Sequence, residues 1–282
     1  MPQTINTNIA SLNAQRNLNT SQTSLATSMQ RLSSGLRVNS AKDDAAGLAI
    51  AERMNTQVRG MNVAARNAND GISLSQTAEG ALAKVGDALQ RMRELAVQAR
   101  NSTNSDSDKD SLNKEFFELQ SEITRVVGGT TFNGKHILGA DATTLTFQIG
   151  ANTSVDDTVS VTTANMAANT DITTVTGTGA TIGAAATAGA IASVIDNIDT
   201  ALNTVNNTRA TFGATQSRFD AIIANLQQAV ENQAAARSRI MDADFASETA
   251  NLSRAQILQQ AGNAMVAQAN QLPQQVLALL KG

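Results

Sequence analysis

The stretch IASVIDNIDTALNTVNNTRATFGATQSRFDAIIANLQQAVENQAAARSRI, residues 191–240, decides the fold. Positions three or four apart along it form one unbroken series, and twelve of its fifteen members are apolar. A series kept this long is typical of coiled-coil packing rather than of a short surface helix. We therefore predict one helix of roughly 75 Å, at about 1.5 Å per residue, with partner helices along its length. The members are Ile191, Val194, Ile198, Ala201, Val205, Thr208, Phe212, Thr215, Phe219, Ile222, Leu226, Ala229, Gln233, Ala236 and Ile240.

Both ends of the chain carry apolar stripes with helical spacing. The stripes comprise Ile5, Ile9, Leu12, Leu18, Leu25, Met29 and Leu32 at one end, and Leu258, Leu272, Val276 and Leu280 at the other. Neither end can bury its stripe alone, and a lone helix in water is only marginally stable. The simplest solution pairs the two ends. Further copies of the chain would then cover the apolar surface that two helices leave exposed.

The middle of the chain changes in composition. Residues 82–99 and 112–126 have helical spacing and are separated by a polar break. The Asn133-Gly134 pair predicts a tight hairpin, and short alternating runs near residues 145–149 and 159–161 predict strands. We therefore expect a mainly α fold, with long helices in coiled-coil or bundle packing from both chain ends, a β-hairpin, and a small β or irregular insert.

The segment RLSSGLRVNSAKDDAAGLAI, residues 31–50, is dense in charge and glycine. Asp43 and Asp44 are neighbours, so on a helix they would point to different sides and could not act together on one substrate. A structural joint fits better. Gly35 is placed to end one helix, and Ser40 is placed to cap a helix that starts near Ala41, with Asp43 at its third position.

The composition offers few of the residues that catalytic and metal sites use. There is no Cys and one His, His136, so no catalytic, cofactor or metal site is expected. A net charge of −3 gives no support to a nucleic-acid partner. No apolar run is long enough for a membrane span, and the start of the chain lacks the pattern of an ordinary secretory signal peptide.

Several long motifs in one order resemble those of bacterial flagellins. The signature segment is QRLSSGLRVNSAKDDAAGLAIA, residues 30–51. The other motifs are LQRMRELAVQ at 89–98, TFNG at 131–134, SRIMDAD at 238–244, QILQQA at 256–261 and AQANQLPQQVLALL at 267–280. The resemblance covers about residues 1–138 and 190–282.

This resemblance implies three structural parts. Residues 1–40 and 240–282 would form an inner terminal coiled coil. Residues 41–138 and 190–239 would form a rod-like helical bundle that carries the hairpin, and residues 139–189 would form a variable surface insert, as a small outer domain or as loops. Gly35, Ser40, Asp43 and Asp44 would join the first two parts.

The implied function is mechanical: the chain would polymerise into the extracellular helical filament that drives motility. The resemblance also implies export by the flagellar type III apparatus without a cleaved signal peptide. The implied partners are other copies of the chain, the flagellar cap and hook-associated proteins, and an export chaperone at the C-terminal region.

The resemblance further implies recognition by innate immune receptors. Arg91, Leu95 and Glu115 match positions of the Toll-like receptor 5 epitope, and spacing places Arg91 and Leu95 on one face, away from the predicted buried seam. Residues 30–51 resemble a peptide sensed by a plant receptor kinase. The alternative interpretations of these charges are a solvated face or a contact between subunits.

Two alternatives to a filament subunit stay open at this point. A hook–filament junction protein would share the terminal helices, and a generic coiled-coil adaptor would share the heptads. An enzyme carried in the insert is disfavoured, because residues 139–190 contain no His, Cys, Glu, Lys or Arg.

Overall fold

The computed structural model describes the backbone of residues 7–281 and the side chains of residues 7–271. Long helices dominate, and the prediction of a mainly α fold is confirmed. None of the described helices combines the length and apolar character that crossing a membrane requires. In chain order the elements are α1 (Ile9–Ser34), α2 (Ala45–Ala99), α3 (Asp106–Gly129), β1 (Thr131–Phe132), β2 (Lys135–His136), β3 (Thr144–Gln148), a 3-10 turn (Val155–Asp157), β4 (Thr158–Thr162), α4 (Thr170–Thr176), α5 (Ala188–Met241) and α6 (Phe245–Lys281).

The chain packs as two compact units. One, the terminal unit, comprises Met1–Thr56 with Glu231–Gly282, and the other, the central unit, comprises Gln57–Val230. The helices α2 and α5 each contribute residues to both units. The three functional parts expected from the sequence stay a prediction.

The single long helix predicted from residues 191–240 is α5. The first part of its apolar series, from Ile191 to Phe219, forms one side of the core of the central unit, and the members from Ile222 onward are only half-buried. The buried members of the series are Ile191, Val194, Ile198, Ala201, Val205, Phe212 and Phe219. Facing them in the same core are the regularly spaced residues of α2, from Leu82 to Ala99, and Phe116, Ile123 and Val127 of α3. A capping box between Ser105 and Asp108 begins α3 after the polar break.

A close contact between Gly71 and Phe219 fixes the spacing of α2 and α5. The Phe219 ring is fully buried and lies edge-on to Phe147, with 5.5 Å between ring centroids. A Cβ on Gly71 would lie 2.6 Å from the Phe219 ring. Glycine at this position therefore makes room for the largest side chain of the contact.

The β1–β2 hairpin turns at the predicted pair, where Asn133 has φ 49° and Gly134 φ 78°. Both residues thus adopt the left-handed conformation that a type I′ turn requires. His136 lies exposed in β2, and its Nδ1 is 2.7 Å from the Gly128 carbonyl oxygen. The histidine therefore ties the hairpin to the end of α3.

The segment expected to be a surface insert contributes to the core. Strands β3 and β4 pair antiparallel, with Phe147 opposite Val159, as the alternating runs predict. The segment packs within the central unit and forms no separate compact unit. The insert residues buried in the central core are Val159, Val161, Met166, Ile172, Val175, Ala180 and Ile182.

Candidate assembly and recognition surfaces

The helices α1 and α6 lie antiparallel against each other in the terminal unit. Near one end of the pair Ser11 contacts Asn270, in the middle Leu18 contacts Gly262, and near the other end Ser28 contacts Glu248. The sequence prediction that the two chain ends pair is thus met in the part of the chain that the structure describes.

The large apolar residues of the terminal stripes are not buried between these two helices. Ile9 is 68 % exposed, Leu12, Met29 and Leu258 are also exposed, and Leu18, Leu25 and Leu32 are half-buried. Ile5, Leu272, Val276 and Leu280 lie outside the residues whose side chains are described. A single chain therefore leaves much of the predicted seam in contact with water.

Small and polar residues occupy the buried positions of this pair instead. They are Ser11 and Ser28 of α1 and, among the described residues of α6, Glu248, Ala255 and Ala269. The sequence interpretation missed Ser28, Arg31 and Glu248, because it followed apolar spacing alone. A signal was present: Ser28 and Arg31 are three residues apart and so share one face of a helix.

Two sets of polar contacts bracket the pair. At one end the Asn8 amide donates to the Ala269 carbonyl oxygen at 2.7 Å, and the Ser11 hydroxyl donates to Asn270 Oδ1 at 2.7 Å. At the other end Ser28 Oγ and Arg31 Nη1 each donate to Glu248 at 3.0 Å. Glu248 is only 7 % exposed, so these donors compensate the burial of its carboxylate.

The joint after α1 begins as the sequence predicts. Gly35 ends α1 with φ 72°, and its amide donates to the Arg31 carbonyl oxygen. The following chain pairs with the segment before α6, because Arg37 donates to the Met241 carbonyl oxygen and Ala243 donates to the Gly35 carbonyl oxygen. The segment that follows α1 and the segment that precedes α6 are thus held together by backbone hydrogen bonds.

The predicted start of the next helix is wrong by four residues. Asp43 accepts hydrogen bonds from the hydroxyl and amide of Ser40 and from the amide of Asn39, and these bonds lower the pKa of Asp43. They close a separate turn ahead of the helix. Asp44 then caps α2, which begins at Ala45, by accepting a 2.8 Å hydrogen bond from the Gly47 amide. Two competing caps lie four residues apart, and tertiary structure selects the second.

We expect that removal of the Asp44 cap lowers the stability of the terminal unit. Asp44→Ala should lower the free energy of unfolding by about 1 kcal/mol, because the first turn of α2 loses its acceptor. Ser40→Ala is the matched control and should cost clearly less, since the backbone amides still donate to Asp43. Chemical denaturation followed by circular dichroism on assembled protein measures both. Equal losses would contradict the assignment of Asp44 as the more important cap.

The three residues expected at a receptor surface are placed differently from one another. Arg91 and Glu115 come from α2 and α3 and form an ion pair, with 2.8 Å between Arg91 Nε and Glu115 Oε1. A second carboxylate, of Glu94, lies 2.9 Å from Arg91 Nη1. Both partners raise the pKa of Arg91, Glu115 the more strongly. The pair is about half exposed and forms an accessible charged surface.

Leu95 is not part of that exposed surface. Its side chain is 1 % exposed and lies in the core with Met92 and Ala96. The expectation that Leu95 shares an open face with Arg91, away from the buried seam, is therefore wrong. The apolar series of α2 is wider than the strict three-four spacing indicates, because α2 is covered on two sides within the central unit.

Comparison with known families identifies the chain. The model of the bacterial flagellin N-terminal helical region matches residues 5–143, and that of the C-terminal helical region matches residues 195–280. The chain belongs to the bacterial flagellins. It is similar to the flagellin of Halalkalibacterium halodurans, with 45 % identity over 98 % of this chain and 99 % of that protein. The flagellin of Xenorhabdus nematophila is 44 % identical over the whole of both chains.

A crystal structure of Bacillus cereus flagellin is also similar, at 32 % identity, over 57 % of this chain and 88 % of that chain, with a TM-score of 0.49. As a flagellin, the chain is a structural subunit of the extracellular flagellar filament that serves motility, and it is not an enzyme. It assembles with other copies of itself. Nothing in these matches favours a hook–filament junction protein or a generic adaptor.

Proposed function

We propose that the apolar residues left exposed on α1 and α6 form the contacts that hold neighbouring flagellin subunits together. The observation that carries this proposal is the exposure of Ile9, Leu12 and Met29 on α1 and of Ile257 and Met265 on α6. Burying one such side chain contributes about 1.5–3 kcal/mol. Several of them together supply a large driving force for assembly.

A groove beside the α1–α6 pair supports the same proposal. It has a volume of about 430 Å³ and is lined by hydroxyl side chains such as Thr20 and Ser24, by Arg31 and Arg254, and by Leu258. The Nε atom of Arg31 is buried and has no hydrogen-bond partner among the described residues. A neighbouring subunit that fills this groove would satisfy that donor.

The three-part division extends this proposal to the whole chain. Residues 1–40 and 240–282 would form the inner part of the filament wall, and residues 41–138 and 190–239 the rod outside it. Residues 139–189 would face outward, with their apolar side chains packed on the rod and their polar ones in solvent. The many Thr and Asn residues of this last segment suit an exposed surface.

We expect the chain ends to fold on assembly. An α1–α6 pair with an exposed apolar stripe is marginal in isolation, because two helices bury little surface. Amide hydrogen exchange should therefore be fast at residues 9–34 in dilute monomer and slow in filaments grown on filament fragments. Residues 82–99 of the central unit serve as the internal control and should be protected in both states. Strong protection of residues 9–34 in the monomer would contradict this expectation.

Electron microscopy of the same seeded samples tests the assembly itself. Long uniform tubes are the expected product. Capped rings or unassembled monomers would instead favour the hook–filament junction protein or the adaptor.

The export route and the accessory partners belong to this proposal. We infer export by the flagellar type III apparatus without a cleaved signal peptide, followed by assembly beneath the flagellar cap proteins on the hook-associated proteins. The exposed Ile257, Leu258 and Met265 of α6 offer an apolar surface for an export chaperone before assembly. Binding of one chaperone to this helix would shield the surface that subunits later share.

For immune recognition we propose the exposed pair Arg91 and Glu115 as the charged contact with Toll-like receptor 5. Leu95 would contribute only by supporting α2 from the core. We also propose that residues 30–51 are the segment that a plant receptor kinase senses. Within this segment Ser34 is exposed and Leu36 is half-buried.

We expect Arg91→Ala combined with Glu115→Ala to reduce receptor signalling by at least about tenfold, as loss of a charged pair at the centre of an interface does. The matched control is Lys84→Ala with Asp87→Ala, an exposed ion pair on the same helix. Both variants should keep their helical content, since exposed ion pairs contribute little to folding. Dose–response curves in receptor-expressing cells measure the effect. Equal potency of the two variants would reject the assignment.

A further inference from the structure

The seam between α1 and α6 repeats every seven residues on both helices. On α6 the positions Glu248, Ala255, Gly262 and Ala269 are each seven apart, and on α1 so are Ser11, Leu18, Leu25 and Leu32. The middle of this seam places leucines of α1 along a row of small residues of α6, and Leu18 lies directly against Gly262. A shift of one helix by seven residues would place leucine opposite alanine and bury a similar surface.

Apolar packing alone therefore does not select one alignment of the two helices. Backbone hydrogen bonds from Arg37 to Met241 and from Ala243 to Gly35 join the end of α1 to the start of α6, and a shift would break them. The side-chain polar contacts at the ends distinguish the alignments further. After a seven-residue shift in one direction, Ser24 would occupy the place of Arg31 opposite Glu248. A shift in the other direction would carry the partner of Glu248 beyond the end of α1 at Ser34. The first shift leaves the Glu248 carboxylate without its cation inside the helix contact, which costs more than the loss of a surface ion pair. Both shifts break the hydrogen bonds that Ser28 and Arg31 donate to Glu248.

We propose that these end contacts determine the register of the terminal helix pair, and through it the alignment of the apolar stripes that neighbouring subunits share. We call them the polar clamp, which consists of Asn8, Ser11, Ser28, Arg31, Glu248 and Asn270. Its role rests on the proposed assembly function of the exposed stripes. A buried polar residue that selects one register at some cost in stability is the device that coiled coils use for the same purpose.

Register can be measured directly in this chain because it contains no Cys. A Cβ built on Gly262 lies 3.7 Å from the Leu18 Cβ, within the roughly 3.5–4.5 Å that a disulfide requires. Leu18→Cys with Gly262→Cys therefore reports the observed register. Two further pairs report the shifted registers: Leu18→Cys with Ala255→Cys, and Leu18→Cys with Ala269→Cys.

The test compares two proteins. One has the intact clamp, and the other, the clamp-free variant, carries Ser11→Ala and Glu248→Ala. Each of the three cysteine pairs is introduced separately into both proteins. Reduced protein is polymerised on filament fragments and then oxidised, and disulfides within a chain are separated from those between chains on a non-reducing gel. The clamp-free variant should lower the ratio of in-register to shifted cross-linking by about tenfold or more, the factor expected from losing a charge-assisted hydrogen bond. Glu231→Ala, an exposed carboxylate of the same unit, is the matched control and should leave the ratio unchanged.

A charge-swapped variant, Arg31→Glu with Glu248→Arg, restores the pair with reversed polarity and should recover the in-register cross-link. If the clamp-free protein forms no filament, this variant decides the question, since recovery of filaments supports the clamp and absence of recovery overturns it. An unchanged ratio in clamp-free filaments also overturns it. Failure of the assembly proposal is distinct, because clamp-intact protein would then form no filaments at all.

Discussion

Ile257→Asp is expected to raise the critical concentration for filament growth by about 100-fold or more, because an apolar contact worth about 1.5–3 kcal/mol is replaced by a carboxylate that assembly would desolvate. Ile257 is 66 % exposed in the single chain, so the substitution removes little packing within the subunit. Leu12→Asp, on the partner helix, should have a similar effect. Sedimentation of seeded samples over a range of protein concentrations measures the change.

A control for this experiment is Val155→Asp. Val155 lies in the segment proposed to face outward and is 88 % exposed, so the same chemical change there should leave the critical concentration unaltered. Circular dichroism of the monomers should show the same helical content in all three variants. Normal filament growth by Ile257→Asp and Leu12→Asp would show that the exposed stripes are not the subunit contacts.

Phe219→Ala is expected to destabilise the central unit by about 3–5 kcal/mol, the usual cost of deleting a fully buried aromatic ring. The ring contacts α2 at Gly71 and stacks edge-on with Phe147 of β3, so its loss opens a cavity between a helix pair and a strand. The free energy of unfolding of the monomer, from denaturant titration, measures the loss.

A second substitution tests whether the lost space is the cause. Gly71→Leu places a side chain where the ring was, and in the Phe219→Ala background it should recover part of the lost stability. In the unaltered chain Gly71→Leu should itself destabilise by about 1–3 kcal/mol, because the new side chain and the ring compete for one volume. The two effects are therefore strongly non-additive. Simple additivity would show that Gly71 and Phe219 do not share this space.

Helix positions were largely readable from the sequence. The series in residues 191–240 predicted α5, the polar break near residue 105 predicted the start of α3, and Asn133-Gly134 predicted the hairpin turn. These features depend on neighbours in the chain, through side-chain periodicity, capping and the left-handed conformation of a turn. Local chemistry therefore determines them without knowledge of the packed state.

The pair of Arg91 and Glu115 could not be predicted from local sequence patterns. Spacing along α2 suggested that Arg91 and Leu95 share an open face, and it could not reveal that Glu115 of α3 lies against Arg91. Periodicity shows which residues share a side of a helix, but it does not show how many neighbours cover the helix. Burial of Leu95 and pairing of Arg91 both depend on the position of α3 and α5 around α2.

By itself the sequence determined the long helices, the hairpin, the absence of thiol chemistry and the flagellin family. Only the tertiary structure decided that Asp44 rather than Ser40 caps α2, that residues 159–182 contribute to the core, and that small and polar residues line the contact of α1 with α6. An apolar stripe shows that a helix needs a partner, but the partner and the register depend on contacts between residues more than two hundred positions apart, such as Arg31 and Glu248. Those contacts exist only when the two chain ends meet.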